Sequence, residues 1–160
     1  MTKITIISDA HFGIQNLKKI ENIILESDYC IFLGDGINAV LPYKNQLGDR
    51  LVIVRGNCDF TAAFLDETVI DIDGHKILAA HGHNYRVKTT LIDFYYRAKE
   101  LNADIALFGH THIPYQEYHD GILLLNPGSI GSPRLSAPSY AYMILSAGKK
   151  PLARIVELAA

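Results

Sequence analysis

Ten short apolar runs punctuate the chain, each bounded by turn-forming residues. They cover residues 3–8, 29–33, 51–54, 67–72, 76–80, 105–108, 115–119, 122–125, 140–145 and 153–156, and their length and flanks predict strands. Two other stretches carry the 3.6-residue period of an amphipathic helix. In the first, Leu17, Ile20, Ile23 and Ile24 share a face that extends toward Ile14, with Lys18, Lys19, Glu21 and Glu26 largely outside it. In the second, Val87, Leu91, Phe94, Tyr95, Ala98 and Leu101 form the apolar face. Asp73-Gly74 and Asp120-Gly121 each separate two strand runs, the strongest short-range sign of a β-hairpin. The front half therefore alternates strand and helix while the back half is rich in hairpins. That predicts a mixed α/β fold with helices covering sheet faces, not a simple parallel doubly wound sheet. No internal repeat, low-complexity tract or linker interrupts the pattern, so residues 1–160 are expected to form one domain.

Composition narrows the function. Hydrophobic residues make up 49% and charged residues 20%, and the formal net charge is -2. This balance offers no electrostatic footprint for a dedicated nucleic-acid surface or an anionic membrane. If a phosphate is bound, the positive charge must be local, as bound cations would supply it. The apolar run at 4–7 is too short for a signal sequence or a membrane span. Cys30 lies in an apolar run and Cys58 in a polar turn, and two cysteines make no disulfide framework; a reducing cytoplasm is expected.

The chemistry lies in the loops that leave the strands. After the first run comes Asp9-Ala10-His11, and after the second Gly34-Asp35. After the third comes Arg55-Gly56-Asn57-Cys58-Asp59. The run closing at Ala80 leads into His81-Gly82-His83, and that closing at Phe108 into Gly109-His110-Thr111-His112. Loops beyond the carboxyl ends of strands in α/β sheets converge on one crevice. Five of the seven histidines fall in these loops, with Asp9, Asp35 and Asn57. Imidazole nitrogen, carboxylate oxygen and amide oxygen all bind divalent cations, and these donors exceed the roughly four to six that one ion accepts. Two ions sharing a ligand fit the arithmetic. The spacing of Asp9-x-His11 and of His110-x-His112 predicts extended segments that point both side chains one way. Each motif alone is weak, since a lone loop histidine is usually solvated and Gly34-Asp35-Gly36 alone is a turn. Their joint placement is the signal.

Taken in this order, and with Asn126-Pro127-Gly128-Ser129 late in the chain, the motifs resemble the calcineurin-like metallophosphoesterase superfamily. The length and the Gly-Asn-Cys-Asp variant are most similar to its small single-domain phosphodiesterases of the YfcE type. The resemblance implies an α/β (α+β) fold, a four-layer αββα sandwich of two mixed β-sheets flanked by helices. It implies two divalent metal ions per chain, manganese first, with iron, zinc, nickel or cobalt also suited to such ligands. One ion would take Asp9, His11, Asp35 and His112, and the other Asp35, Asn57, His81 and His110, with Asp35 shared. A water between the ions would lose its proton near pH 7 and attack a small phosphate ester.

Cys58 stands where many members carry histidine, and as a poorer proton donor it predicts a preference for diesters or activated esters; mere packing is the competing reading. Asp59 is expected to orient a metal-bound imidazole, and His83 to contact phosphate or donate a proton, unless it is a solvated loop residue. Asn57 serves both as ligand and in catalysis. His75 and His119, beside the hairpin turns, are expected to be structural or exposed. The aromatic stretch at 93–96 suits core or interface packing, which allows a homo-oligomer. The competing function is a protein-binding scaffold resembling the small subunit of retromer; against it, every proposed ligand keeps a metal-competent side chain. A single structural zinc would leave the surplus of donors in open loops unexplained.

Overall fold

The computed structural model describes residues 1–159. Ten strands form there: β1 (Thr2–Ile7), β2 (Tyr29–Phe32), β3 (Leu51–Ile53), β4 (Glu67–Ile72), β5 (His75–Ala80), β6 (Ile105–Leu107), β7 (Tyr115–His119), β8 (Ile122–Asn126), β9 (Ser139–Leu145) and β10 (Leu152–Glu157). All ten expected runs are strands, displaced by a residue or two at their ends. They make two sheets of five, in the orders β10-β9-β1-β2-β3 and β4-β5-β6-β8-β7. Three strands in each sheet run parallel, β1, β2 and β3 in one and β5, β6 and β8 in the other, with antiparallel partners outside them. Both Asp-Gly pairs close hairpins with positive φ at both positions, 49° and 79° in one and 48° and 79° in the other. That is the type I′ turn whose twist matches the strands.

The apolar runs are nearly continuous because both faces of each parallel strand are covered. From the first sheet Ile4, Ile6, Ile31, Leu33 and Val54 meet Ile77, Ala79, Ile105, Leu107, Leu123 and Leu125 of the second. The alternate residues Ile7, Cys30, Phe32, Leu51 and Ile53 face outward onto Leu17, Ile20, Ile24, Ile37, Val40, Tyr43 and Leu47. On the far side Leu78, Ala80, Ala106, Phe108 and Leu124 pack on Phe94, Tyr95 and Ala98. The layers are therefore helix, sheet, sheet and helix, the sandwich that the resemblance implied. Each fully buried Leu, Ile or Phe in these three layers contributes about 1.5–3 kcal/mol.

The helices depart from expectation in three places. The first amphipathic stretch is two short helices, α1 (Ile14–Lys19) and α2 (Glu21–Glu26), because Ile20 leaves helical dihedrals at φ -112° and ψ 13°. Leu17, Ile20 and Ile24 stay buried through the break, whereas Ile14 is exposed. Two further helical turns, α3 (Ile37–Val40) and α4 (Lys44–Leu47), lie in a segment for which no helix was expected. Ile37, Val40, Tyr43 and Leu47 do recur every three or four residues, but Pro42 and Gly48 break the period. The last helix, α5 (Ile92–Glu100), begins later than its apolar period, with Val87 buried in the turn before it. No described helix is long and apolar enough to cross a membrane.

Candidate metal centre

The six parallel strands deliver their C-terminal ends to one edge of the sandwich. Backbone bonds stitch the loops there: Asp9 N–H to the Gly34 carbonyl (3.0 Å), His11 N–H to Asp35 (2.9 Å), Gly109 N–H to His81 (2.9 Å) and Ile130 N–H to Ser8 (3.1 Å). Five of the proposed ligands turn into this edge through left-handed backbone: Asp9, His11, Asp35, His110 and His112 have φ of 52°, 47°, 64°, 70° and 63°. The extended geometry expected for Asp9-x-His11 and His110-x-His112 is thereby corrected. The paired side chains share a pocket because each sits in a tight turn. Such a conformation costs a non-glycine residue about 1–2 kcal/mol, and strain of this kind collects at functional sites.

Two glycines permit the close packing. A Cβ on Gly56 would lie 2.1 Å from Asp35 Oδ1, and one on Gly109 would lie 1.9 Å from Ser8 Oγ and 2.8 Å from Asp9 Oδ2.

The donor atoms fall into two adjoining groups. In the first, Asp9 Oδ1 lies 3.3 Å from His112 Nε2 and 4.0 Å from His11 Nε2, and the two imidazole nitrogens are 3.3 Å apart. In the second, His81 Nε2 is 3.2 Å from Asp35 Oδ2, 3.1 Å from Asn57 Oδ1 and 3.2 Å from His110 Nδ1. The groups touch: His81 Nε2 is 3.8 Å from Asp9 Oδ1, and donor atoms of His11 and Asp35 lie within 4.8 Å of each other. Nδ1 of His81 donates to the Leu33 carbonyl and Nδ1 of His112 to that of Ser132, which leaves both Nε2 lone pairs aimed inward. Asp9 Oδ2 accepts from Ser8 Oγ and His110 N–H, whereas Oδ1 is buried with no hydrogen-bond partner. A buried unpartnered carboxylate oxygen is costly unless a cation meets it. Convergent lone pairs with an orphaned anionic oxygen fit divalent ions.

Electrostatics agree. Burial alone would raise the Asp35 carboxyl, but His81 and the Cys58 N–H hold it well below the usual carboxylate range. Burial likewise opposes the His81 imidazolium, yet Asp35 and Asp9 raise its pKa. His112 is raised by its contact with Asp9. Burial and the neighbouring His81 lower His110 to about 4 and also lower His83.

The remaining site residues divide. His83 lies beside this cluster, its ring centroid 5.4 Å from that of His81 and 6.3 Å from that of His110, with Nδ1 buried and unpartnered. Cys58 is exposed, which removes the packing reading; its N–H donates to Asp35 Oδ1 (2.7 Å). Asp59 corrects an expectation. Its carboxylate accepts the backbone N–H groups of Asp35 (2.7 Å), Gly36 (2.9 Å), Ile37 (3.2 Å) and Gly56 (2.9 Å). It clamps two loops together and does not orient an imidazole, because all four donors are main-chain groups left free where β2 and β3 end. Arg55 is held by Asp66 and the Thr61 carbonyl. His75 is buried against Asp104, and His119 packs edge-on to Tyr95.

Three supporting residues carried no expected role. Ser8 holds Asp9. Buried Asn126 donates to the Gly109 carbonyl and Thr111 Oγ1, fixing the loop of His110 and His112. Buried Ser129 donates to the Asp9 carbonyl and accepts from Ser132 N–H, whose carbonyl receives His112. Ser8 and Asn126 are polar residues that close apolar strand runs, and Ser129 ends the Asn126-Pro127-Gly128-Ser129 motif that follows the second.

The same residues carry a family relationship. The sequence matches the calcineurin-like phosphoesterase superfamily domain over residues 2–150. The chain belongs to that superfamily. It is 40% identical over 144 residues, 89% of its length and 83% of the relative's, to "Probable metallophosphoesterase YsnB" of Bacillus subtilis. In structure it is similar to a predicted phosphoesterase of Streptococcus pneumoniae, with a TM-score of 0.76 and 30% identity over 89% of this chain and 82% of that one. Vacuolar protein sorting 29 of Cryptosporidium parvum shares the fold at a TM-score of 0.76 and 21% identity, covering 99% of this chain and 98% of the other. This chain is a phosphoesterase-family hydrolase with residues able to bind metal.

Proposed function

We propose that the chain is a phosphodiesterase whose centre holds two divalent ions, manganese or a cation of similar coordination. Asp9, His11, Asp35 and His112 hold one ion, and Asp35, Asn57, His81 and His110 the other. The observation that carries this reading is the buried, unpartnered Asp9 Oδ1 facing imidazole nitrogens 3.3–4.0 Å away, with a second set of lone pairs converging on His81 Nε2 beside it. Divalent ions, when bound, polarise phosphoryl oxygens and lower the pKa of water.

The chain's own residues do the rest. Asp59 fixes the loops of Asp35 and Asn57 against each other, and Asn126 and Ser129 fix those of His110, His112 and Asp9. Such fixed geometry lets charge in the transition state be met without rearrangement. His83, half-buried with its ring beside those of His81 and His110, contacts the phosphate or the departing oxygen. Cys58 is a poor acid, its thiol pushed up by burial and by Asp35. A diester with a good leaving group suits a site without a strong proton donor. The substrate is small, and the site needs neither a basic surface nor a membrane.

The test is metal analysis of purified protein together with hydrolysis of bis(p-nitrophenyl) phosphate, with and without added manganese. The reading expects about two ions per chain, as in two-metal phosphatases, and activity abolished by Asp35→Ala. A folded chain that binds ions yet cleaves neither mono- nor diesters would favour a protein-binding scaffold on the same fold.

A further inference from the structure

We infer that Cys58 is itself a metal ligand, its thiolate adding a soft donor to the ion held by His11 and Asp35. The inference rests on the metal reading above and departs from the oxygen and nitrogen ligand set given there.

Donor atoms of His11, Asp35 and Cys58 all lie within 4.8 Å of one another, a third cluster alongside the other two. The residue is held in place there. Its own N–H donates to Asp35 Oδ1 at 2.7 Å, which ties the Cys58 main chain to the shared carboxylate. The Cys58 side chain is exposed, so the sulfur is open to solvent and to ions. Asn57 completes the arrangement. Its Oδ1 faces His81 Nε2 at 3.1 Å while its Nδ2 donates to Cys58 Sγ at 3.7 Å. The buried, unpartnered Asp9 Oδ1, 4.0 Å from His11 Nε2, independently marks a cation position on that side of the centre.

Coordination exchanges the S–H bond for an S–metal bond. The dication takes the sulfur lone pair and the proton goes to solvent, with no change of oxidation state. Thiolate ligation favours zinc, cobalt and iron over manganese, which oxygen and imidazole donors alone would accept readily. A coordinated thiolate also has no proton to give the leaving group, so good leaving groups are required for a reason beyond weak thiol acidity.

The experiment loads the full chain with cobalt, quantifies the bound metal, and records its near-ultraviolet and visible absorption beside Cys58→Ser and Cys30→Ser. The expected result is a sulfur-to-cobalt charge-transfer band in the wild type and Cys30→Ser, absent from Cys58→Ser. Native thiol titration with Ellman's reagent supplies the second readout. Cys58 is exposed and Cys30 buried, so the ion-free chain should show one reactive thiol, and cobalt or zinc should protect it. Cys58→Ser should weaken zinc by more than the roughly 10-fold typical of losing an outer-shell contact, while changing manganese affinity little. Bound cobalt with no sulfur band and an unprotected Cys58 overturns the ligand assignment but leaves the metal centre intact. Failure to bind any cobalt, zinc or manganese overturns both.

Discussion

Replacing Asp59 separates two accounts of how the site is held. Its carboxylate takes four main-chain N–H groups, from Asp35, Gly36, Ile37 and Gly56, at 2.7–3.2 Å. A hydrogen bond to a charged acceptor contributes about 1.5–3 kcal/mol net, but four bonds to one group do not add in full. Asp59 is only partly buried, so water reaches some of the donors in its absence. Asp59→Ala should therefore cost about 3 kcal/mol, read as a lower urea midpoint with unchanged slope. Asp59→Asn keeps one acceptor oxygen for Gly36 and Ile37 and turns an amide N–H toward the other two donors, so its loss should be intermediate. Both measurements use ion-free protein, in which orientation of a metal-bound imidazole has no influence. Variants within about 0.5 kcal/mol of wild type without metal, yet weakened in metal affinity, would refute the clamp and restore the imidazole-orienting role expected from the sequence.

Three further outcomes can be checked. Gly109→Ala drives a Cβ to 1.9 Å from Ser8 Oγ, so it should lower stability by about 1–3 kcal/mol and displace Asp9, visible together in thermal melts and metal stoichiometry. Because the carboxylates raise His81 and His112 in the ion-free protein, protons compete with metal for both imidazoles. Apparent affinity should fall as pH drops from about 8 to 6, and calorimetry in buffers of different ionisation enthalpy should show proton release; a flat profile contradicts this. Burial opposes the His75 imidazolium, but the Asp104 carboxylate and the Ser146 carbonyl outweigh it and raise its pKa. The stability from that pair is complete below the unfolded value of about 6.5 and is lost as pH rises through the folded one. His75→Asn should accordingly destabilise the ion-free chain at about pH 5.5 more than at about pH 9, and an equal loss at both would contradict the assignment.

The strands and hairpins were legible because their signals are local: an apolar run such as that ending at Leu33, or Asp73-Gly74 between two runs, needs no distant partner. The loops that hold the candidate ligands were legible for the same reason, each directly following a strand. What the sequence withheld depends on contacts remote along the chain. Ser129 reaches the carbonyl of Asp9 across 120 positions, and Asp59 serves main-chain donors that only the pairing of β2 with β3 brings near. Left-handed backbone at Asp9, His11, His110 and His112 was hidden because these residue types tolerate it without requiring it, so an extended segment was the natural expectation. The turns of α3 and α4 escaped notice because each is only four residues long.

Anomalous diffraction from crystals of the cobalt-loaded chain tests the central claim most directly. Two peaks about 3.5–4 Å apart are expected, one against Asp9, His11 and His112, the other against Asn57, His81 and His110, with Asp35 between them. A single peak, or peaks away from these side chains in a fully loaded crystal, would contradict the account.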